Sequence, residues 1–339
     1  MKPSDIKVGV IGYGGAFSMG KYHFEFMQKA GMVPTAVCDP DESRLSVAQS
    51  DFPGISVYTN VDEMLKNPDL NLVTIITPHN SHAEIAIKCL NAGKHVVCEK
   101  PMAITTEECD EMIAAAKANN VILSAFHNRH WDGMVLQAVK EVKAGTLGEV
   151  LRVEAHMQSY GKPGDWWRSS KSISGGILYD WGVHLLEYTL QVLDSEIAEV
   201  SGFAKSGFWA DQTKWKDDTN EDEGFLVVRY TNGKWSTLSL SSVDSNPRPG
   251  YFEITGTKGS YWSDLGSYKM VVQYDDKTWK SEGTVPEQEQ WKYYQNIADH
   301  LTNGDELIIT GEWSRRPIHI LDLACKSVKE GKALPAKYK

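Results

Sequence analysis

Apolar and polar positions in the first 126 residues alternate in blocks that predict strands separated by helices. Short apolar runs typical of buried strands occur at residues 6–11, 33–38, 72–76, 95–98 and 121–126. Helical spacing of apolar side chains occurs between them, at residues 20–30, 61–66, 81–92 and 106–119. Because parallel strands need a long crossover, this alternation predicts an α/β fold with a doubly wound parallel sheet, a Rossmann domain, over residues 1–126. Ligands of such domains bind at the carboxyl ends of the strands.

The pattern changes after residue 126, and residues 127–339 predict an α+β domain with a large, mostly antiparallel open sheet. Val153, Ala155 and Met157 alternate with polar residues along one predicted strand, residues 149–159. Asn232 and Gly233 separate two further strands and predict a hairpin turn. Other strands are predicted at residues 251–255, 259–263 and 268–274, and helices at residues 178–193, 291–301 and 318–329.

Length and composition favour a globular protein of two domains. A chain of 339 residues exceeds one ordinary core, and 41% hydrophobic with 24% charged residues is typical of globular proteins. The formal net charge of −10 argues against a nucleic-acid partner and against binding to an anionic membrane surface. The five cysteines form no CxxC pair and no metal-ligand spacing, so we expect reduced thiols, a cytoplasmic location and no bound metal.

The first predicted strand runs into a glycine-rich turn at Gly12, Tyr13, Gly14, Gly15 and Ala16. A strand, a glycine turn and a helix are the context that a dinucleotide-binding fingerprint requires. The spacing is longer than G-x-G-x-x-G, because Phe17 stands where the third glycine is expected and Gly20 follows three residues later. We expect this turn to bind the cofactor; a plain glycine-rich turn from strand to helix is the alternative.

Asp39 ends the second predicted strand, 27 residues beyond Gly12. A carboxylate at this place accepts hydrogen bonds from both ribose hydroxyls and repels a 2′-phosphate, so the sequence favours NAD over NADP. Two alternatives stay open: Asp39 caps a turn with Pro40 and Asp41, and Arg44 leaves some room for a 2′-phosphate.

Two further stretches carry candidate chemistry. Lys100 follows a predicted strand and precedes Pro101, which places a cation on a stiff turn. In the second domain, Asp180 and His184 are four residues apart, which puts both side chains on one face of a helix. A histidine suits the removal of a proton from an alcohol, and a lysine can stabilise the developing alkoxide. The alternatives are a helix cap for Asp180 and a packing role for His184.

These motifs resemble those of the glucose-fructose oxidoreductase, inositol dehydrogenase and rhizopine-catabolism (Gfo/Idh/MocA) family of nicotinamide-dependent oxidoreductases. The matching segments are Glu-Lys-Pro at 99–101, Thr-Pro-x-x-x-His at 77–82, Asn-Arg at 128–129, Trp-Arg at 167–168 and Asp-x-x-x-His at 180–184. The resemblance implies hydride transfer between a ring hydroxyl of a sugar, glycoside or inositol and nicotinamide C4. It implies the catalytic set Lys100, Asp180 and His184, with His184 as general base and Lys100 stabilising the reacting oxygen.

The resemblance also implies binding residues and an oligomer. The residues expected at the cofactor are the glycine turn with Asp39 and Arg44, then Thr77, Pro78, His82, Glu99, Lys100, Trp167 and Arg168. The residues expected at the substrate are Asn128, Arg129, Tyr160, Trp167 and the catalytic set. The open sheet forms the subunit interface in this family, so we expect a homodimer or homotetramer. Two alternatives stay open: a redox-neutral glycosidase of the same family that retains NAD, and a non-catalytic nucleotide- or sugar-binding regulator.

Overall fold

The computed structural model describes residues 2–14 and 18–338. It contains two compact units: one comprises the chain up to Asn128 with Trp291–Arg315, and the other comprises Arg129–Gln290 with the chain from Arg316 onward. The predicted domains, residues 1–126 and 127–339, differ from these units because residues 291–315 return to the first one. An amphipathic pattern indicates an apolar face but does not indicate which element covers it, so the sequence did not reveal this return.

Helices and strands alternate through the first unit, whereas strands dominate the second. The strands are β1 (Lys7–Ile11), β2 (Val33–Cys38), β3 (Ser56–Tyr58), β4 (Leu72–Ile75), β5 (His95–Cys98), β6 (Leu123–Ala125), β7 (Val150–Gln158), β8 (Ile197–Lys205), β9 (Glu223–Tyr230), β10 (Trp235–Ser241), β11 (Phe252–Gly256), β12 (Gly259–Ser263), β13 (Ser267–Tyr274), β14 (Lys277–Thr284) and β15 (Leu334–Pro335). The helices are α1 (Met19–Lys29), α2 (Glu42–Asp51), α3 (Val61–Leu65), α4 (His82–Asn91), α5 (Thr106–Ala118), α6 (Gly133–Lys143), α7 (Lys171–Ser174), α8 (Ile177–Asp180), α9 (Gly182–Val192), α10 (Lys292–Asn303) and α11 (Gly311–Glu330).

The first unit confirms the predicted Rossmann sheet. Within the described residues, six parallel strands follow the order β3-β2-β1-β4-β5-β6. Ile11 of β1 is in register with Cys38 of β2 and Ile75 of β4, and Ile75 is in register with Cys98 of β5. The central strands therefore end at one level, and the turns that follow them share one edge of the sheet.

Helix α10 completes the core of the first unit with two consecutive buried tyrosines. The Tyr293 hydroxyl lies 2.6 Å from Oγ of Ser124 on β6, and the Tyr294 hydroxyl lies 3.1 Å from Oγ1 of Thr74 on β4. Both rings pack against Phe126, with centroids 4.9 and 5.7 Å away. Two strands of the sheet thus depend on α10 for the partners of their buried hydroxyls.

The second unit confirms the predicted open sheet. Among the residues described, nine strands follow the order β14-β13-β12-β11-β7-β10-β9-β8-β15, and β7 with β10 is a parallel pair in the otherwise antiparallel sheet. Helix α9 packs against β10 at Gly182, where an added Cβ would lie 2.9 Å from Cδ2 of Leu238. Close approach of a helix to this sheet therefore depends on a residue without a side chain.

Two predicted helices have different limits in the structure. The helix predicted at residues 178–193 is interrupted at Trp181, which separates α8 from α9. Helix α11 begins at Gly311 rather than at residue 318, and Pro317 lies inside it. Because proline disfavours a helix interior, the sequence predicted a start after Pro317. None of the helices in the described part of the chain is long and apolar enough to cross a membrane.

Candidate functional site

Gly12 and Gly14 lie in the described part of the turn after β1 and differ in the described atoms that surround them. Gly12 has a φ of 92°, and an added Cβ would lie 2.6 Å from the carbonyl oxygen of Ile76. At Gly14, leaving out its chain neighbours, no described atom lies within 4 Å of an added Cβ. A backbone that no described atom covers fits the approach of a dinucleotide pyrophosphate. Gly15 and Ala16, which were predicted to bind the cofactor, lie outside the described residues.

Asp39 links the glycine turn to the turn that follows β2, with one carboxylate oxygen bonded to each. Its Oδ2 accepts from the Tyr13 N–H at 2.6 Å, and its Oδ1 accepts from the Asp41 N–H at 2.9 Å. These contacts agree with the alternative in which Asp39 caps a turn. Each carboxylate oxygen can still accept a further hydrogen bond.

Gly20 lies in the first turn of α1, where a Cβ would lie 2.8 Å from Cε2 of Tyr13. It permits close packing of helix and turn, the function of the third fingerprint glycine.

His82 connects the turn after β4 with the turn after β5. Its side chain is fully buried, with Nε2 2.9 Å from the Thr77 carbonyl oxygen and Nδ1 2.9 Å from the Pro101 carbonyl oxygen. Burial lowers the pKa of His82, and the hydrogen bonds to the two carbonyls oppose this shift without reversing it. A neutral imidazole has one N–H and donates to one of these two carbonyls, and the buried ring lies between the Thr77-Pro78 turn and the Lys100-Pro101 turn.

Glu99 fixes the backbone of Lys100. Its Oε2 accepts from the Lys100 N–H at 2.9 Å, and its Oε1 lies 3.2 Å from Nε2 of His23 on α1. Burial raises the pKa of Glu99, but the hydrogen bond and charge of His23 and the charge and N–H of Lys100 outweigh burial and lower it. Glu99 is thus an ionised, buried carboxylate. Its observed contacts are to protein groups, and its predicted contact with the cofactor stays a prediction.

In the second unit, Arg168 and Asp180 form an ion pair beside two tryptophans. Arg168 Nη1 lies 2.7 Å from Asp180 Oδ1, and the guanidinium carbon lies 5.4 Å from the ring of Trp166 and 5.0 Å from that of Trp167. The Asp180 side chain is 43% exposed, so water or a ligand can still reach it. The sequence indicated the residues of this cluster but not the pairing of Arg168 with Asp180.

A pocket of about 260 Å³ opens beside this ion pair. Its walls include Trp166, Arg168, Asp180, Trp181 and Asn220. Polar groups converging on a partly aromatic cleft are typical of sites for small ligands. Within the second unit, this pocket is the candidate substrate site.

His184 lies in the first turn of α9 and is 4% exposed. Its ring is 5.6 Å from that of Trp181, in an edge-to-face arrangement. The guanidinium carbon of Arg129 lies 4.6 Å from the centroid of the Trp181 ring, and Arg129 Nη1 donates to Asp132 Oδ2 at 2.9 Å. Arg129 thus contacts the pocket wall through Trp181, which is a packing contact that the sequence did not indicate.

The remaining predicted site residues are distributed over both units. Asn128 belongs to the first unit, as do Lys100 and Thr77, whereas Asp180 and His184 belong to the second. Tyr160 is 57% exposed, and its ring lies 5.5 Å from that of Trp209. Sequence reasoning missed His23 and Tyr294 as partners in the first unit, because nothing in their spacing relates them to Glu99.

Comparison with known proteins gives two matches to family models that together span most of the chain. Residues 6–127 match the Gfo/Idh/MocA oxidoreductase family with an NAD-binding Rossmann fold, and residues 135–262 match the Gfo/Idh/MocA C-terminal domain. An uncharacterized oxidoreductase of Schizosaccharomyces pombe, C115.03, is 36% identical over 76% of this chain and 70% of its own length. The scyllo-inositol 2-dehydrogenase (NADP(+)) IolW of Bacillus subtilis is 28% identical over 98% of this chain and 96% of its own.

A solved structure of levoglucosan dehydrogenase in complex with NADH has the same fold. Its TM-score is 0.85 with 21% sequence identity, and the alignment covers 98% of this chain and 99% of that one. One of these two dehydrogenases is named for NADP and the other is complexed with NADH. The comparisons therefore establish binding of NAD(P) by the Rossmann domain and leave the choice between the two cofactors open.

Gly12→Ala and Gly14→Ala are expected to separate folding from cofactor binding. Gly12→Ala meets a positive φ and a backbone oxygen, so it should lower the free energy of unfolding by about 2 kcal/mol or more. Gly14→Ala should change stability by less than about 0.5 kcal/mol while weakening NAD binding about tenfold. Urea denaturation and titration calorimetry measure the two effects. Wild-type NAD affinity in Gly14→Ala would contradict a pyrophosphate at this backbone.

The lowered pKa of His82 predicts a loss of stability on mild acidification. As the pH falls below about 6.5, the unfolded chain binds a proton that the folded chain does not, until the lowered folded pKa is reached. In this window His82 removes up to about 1.4 kcal/mol of unfolding free energy per pH unit. Urea denaturation at pH 7.5 and 5.5 should show a smaller decrease for His82→Gln than for the wild-type chain. A larger decrease in the variant would mean that the two carbonyls stabilise the charged imidazole.

Proposed function

The chain belongs to the Gfo/Idh/MocA family of oxidoreductases, and on that premise we propose that it is a dehydrogenase of a sugar, glycoside or inositol. The observation that carries the proposal is the pocket of the second unit, where Asp180 and Arg168 lie among tryptophan rings. Tryptophan faces suit the C–H groups of a sugar ring, and a carboxylate with a guanidinium suits neighbouring hydroxyls. A scyllo-inositol dehydrogenase and a levoglucosan dehydrogenase among the similar proteins support the same substrate class.

The proposed roles follow the chemistry of alcohol oxidation. A nicotinamide cofactor, which the glycine turn and Asp39 would hold, would supply the acceptor for the hydride of the carbinol carbon. His184 accepts the hydroxyl proton as general base, and the Lys100 ammonium stabilises the negative charge that develops on the reacting oxygen. Asp180 accepts a hydrogen bond from a neighbouring hydroxyl and so orients the ring. Asn128, Arg129, Tyr160 and Trp167 are proposed at the substrate, as the family resemblance implies.

The charges at the pocket favour an uncharged substrate. Arg168 is paired with Asp180, and Glu221, which also borders the pocket, is paired with Lys171 at 2.5 Å. A sugar phosphate or sugar acid would have to compete with Asp180 for the Arg168 guanidinium. We therefore propose a neutral polyol or sugar rather than an anionic one.

NAD is the proposed cofactor, with NADP less favoured. Asp39 is buried at the end of β2, and a fixed carboxylate there would repel a 2′-phosphate. Arg44, in the adjacent helix α2, is the residue that could offset this repulsion.

A homodimer or homotetramer through the open sheet is also proposed. Phe203 on β8 and Trp235 on β10 are 59% and 38% exposed, and both lie on the large sheet of the second unit. Large exposed apolar side chains on a sheet favour coverage by another surface.

The first test is absorbance of the reduced nicotinamide, with NAD and NADP supplied separately against a panel of neutral sugars, inositols, uronates and sugar phosphates. The expected result is reduction of NAD with a neutral polyol or sugar. Turnover confined to anionic sugars would contradict the charge argument, and preference for NADP would contradict the role given to Asp39. Binding of NAD without reduction by any compound would favour a redox-neutral glycosidase or a regulator instead.

Lys100→Ala and His184→Ala should each reduce kcat by about two or more orders of magnitude, because each removes a proposed proton-transfer or charge-stabilising group. Calorimetric affinity for NAD should stay close to that of the wild-type chain. Lys66→Ala is the matched control for loss of a positive charge, since Lys66 is 69% exposed and paired with Glu63. Wild-type turnover in the His184 variant would remove that residue from the role of base.

A further inference from the structure

A continuous chain of buried polar side chains leads from β4 to the backbone of Lys100. The Thr74 hydroxyl lies 3.1 Å from the Tyr294 hydroxyl, which lies 2.7 Å from Nδ1 of His23. Nε2 of His23 lies 3.2 Å from Oε1 of Glu99, whose Oε2 accepts from the Lys100 N–H at 2.9 Å. Four elements that are distant in sequence, β4, α10, α1 and the turn after β5, meet in this chain.

The Glu99 carboxylate fixes the direction of the hydrogen bond at its end of this series of side chains. An ionised carboxylate accepts only, so His23 must donate to Glu99 from Nε2. Nδ1 of the same ring faces the Tyr294 hydroxyl, which can donate or accept, as can the Thr74 hydroxyl beyond it. The His23 ring thus joins the Glu99 carboxylate to the Tyr294 hydroxyl, and hydrogen bonds connected in this way strengthen one another.

Burial makes this arrangement costly to disturb. Thr74, His23 and Tyr294 are each 0% exposed, and Glu99 is 9% exposed. The imidazole of His23 is also held by packing, because its ring centroid lies 4.2 Å from that of Phe126. A buried carboxylate without these donors would be strongly destabilised, so Glu99 has one well-defined position.

We propose that His23 and Tyr294 are positioning residues for Lys100, which act through the Glu99 carboxylate. The Lys100 N–H is fixed by Glu99, and the Lys100 side chain departs from that fixed backbone. The proposal rests on the proposed function insofar as Lys100 is taken to stabilise the reacting oxygen. The series of hydrogen bonds from Thr74 to Lys100 lies within the first unit, and its effect on the Lys100 backbone can be measured without substrate.

Tyr293 provides a matched control on the same helix. Like Tyr294 it is buried, and its hydroxyl also lies close to the hydroxyl of a buried side chain on a strand of the same sheet, Ser124. Tyr293→Phe and Tyr294→Phe therefore remove the same atom from similar surroundings. They differ in that the Tyr294 hydroxyl bonds to His23.

The first experiment follows the Lys100 amide resonance in the full chain labelled with [15N]lysine, assigned through Lys100→Arg. Tyr294→Phe should move this resonance, and Tyr293→Phe should leave it in place. His23→Gln, which keeps an amide donor for Glu99, should move it less than His23→Met, which has none. The His23 pair keeps the test decisive if either tyrosine variant folds poorly. An unmoved resonance in Tyr294→Phe and His23→Met would overturn the inference whatever the enzyme's substrate proves to be.

The second experiment measures turnover with the polyol identified in the panel. Tyr294→Phe should lower kcat about tenfold, because a small displacement of a catalytic group has a large effect on rate. The KM for substrate and the affinity for NAD should stay within about twofold of wild type. Tyr293→Phe should retain the wild-type kcat even though its stability falls comparably. Equal kcat values for the two tyrosine variants would overturn the positioning role. Absence of hydride transfer in the wild-type protein would instead contradict the proposed function, and the resonance experiment would still test the inference.

Discussion

The parallel register of the central strands is the constraint on which the rest of the first unit depends. Ile11, Cys38, Ile75 and Cys98 are aligned across β2-β1-β4-β5, and adjacent strands of a sheet lie about 4.8 Å apart. The residues that follow these four positions are therefore brought within a few strand widths of one another. Gly12, Asp39, Thr77 and Glu99 each begin a turn at this edge. A shift of one residue in any strand would move its turn and exchange the side chains on its two faces.

Buried polar contacts then fix the positions of the turns at this common edge. Asp39 holds the glycine turn, His82 ties the turn after β4 to the turn after β5, and Glu99 holds the backbone that follows β5. Each of these side chains is buried and has at least one partner in another turn or helix. The second unit uses a similar device at its pocket, where Arg168 is held by Asp180 and by two aromatic rings. In both units, residues that carry candidate chemistry are held by partners distant in sequence.

The alternation of apolar runs predicted most of the first unit, because strands that are buried on both faces consist of continuous apolar residues. Elements with little apolar pattern were missed. Strand β14, whose sequence is KTWKSEGT, is almost entirely exposed, and helix α2 buries only Leu45 and Ala48. The sequence indicated the motifs proposed for the site, namely the glycine turn, Lys100, Asp180 and His184. It did not indicate the partners of these residues, since the links of Glu99 with His23 and of Asp180 with Arg168 join segments that no local spacing relates.

The return of residues 291–315 to the first unit has a consequence for how the chain is made. The core around Phe126 includes Tyr293 and Tyr294, so the amino-terminal fold lacks part of its interior until translation has passed α10. Domains usually fold in order as they emerge from the ribosome. Here the earlier unit has to wait for a segment that follows nearly the entire later one. The nascent nucleotide-binding region therefore exposes apolar surface throughout synthesis of the large sheet. Chaperones that bind apolar surface would act on it during this period.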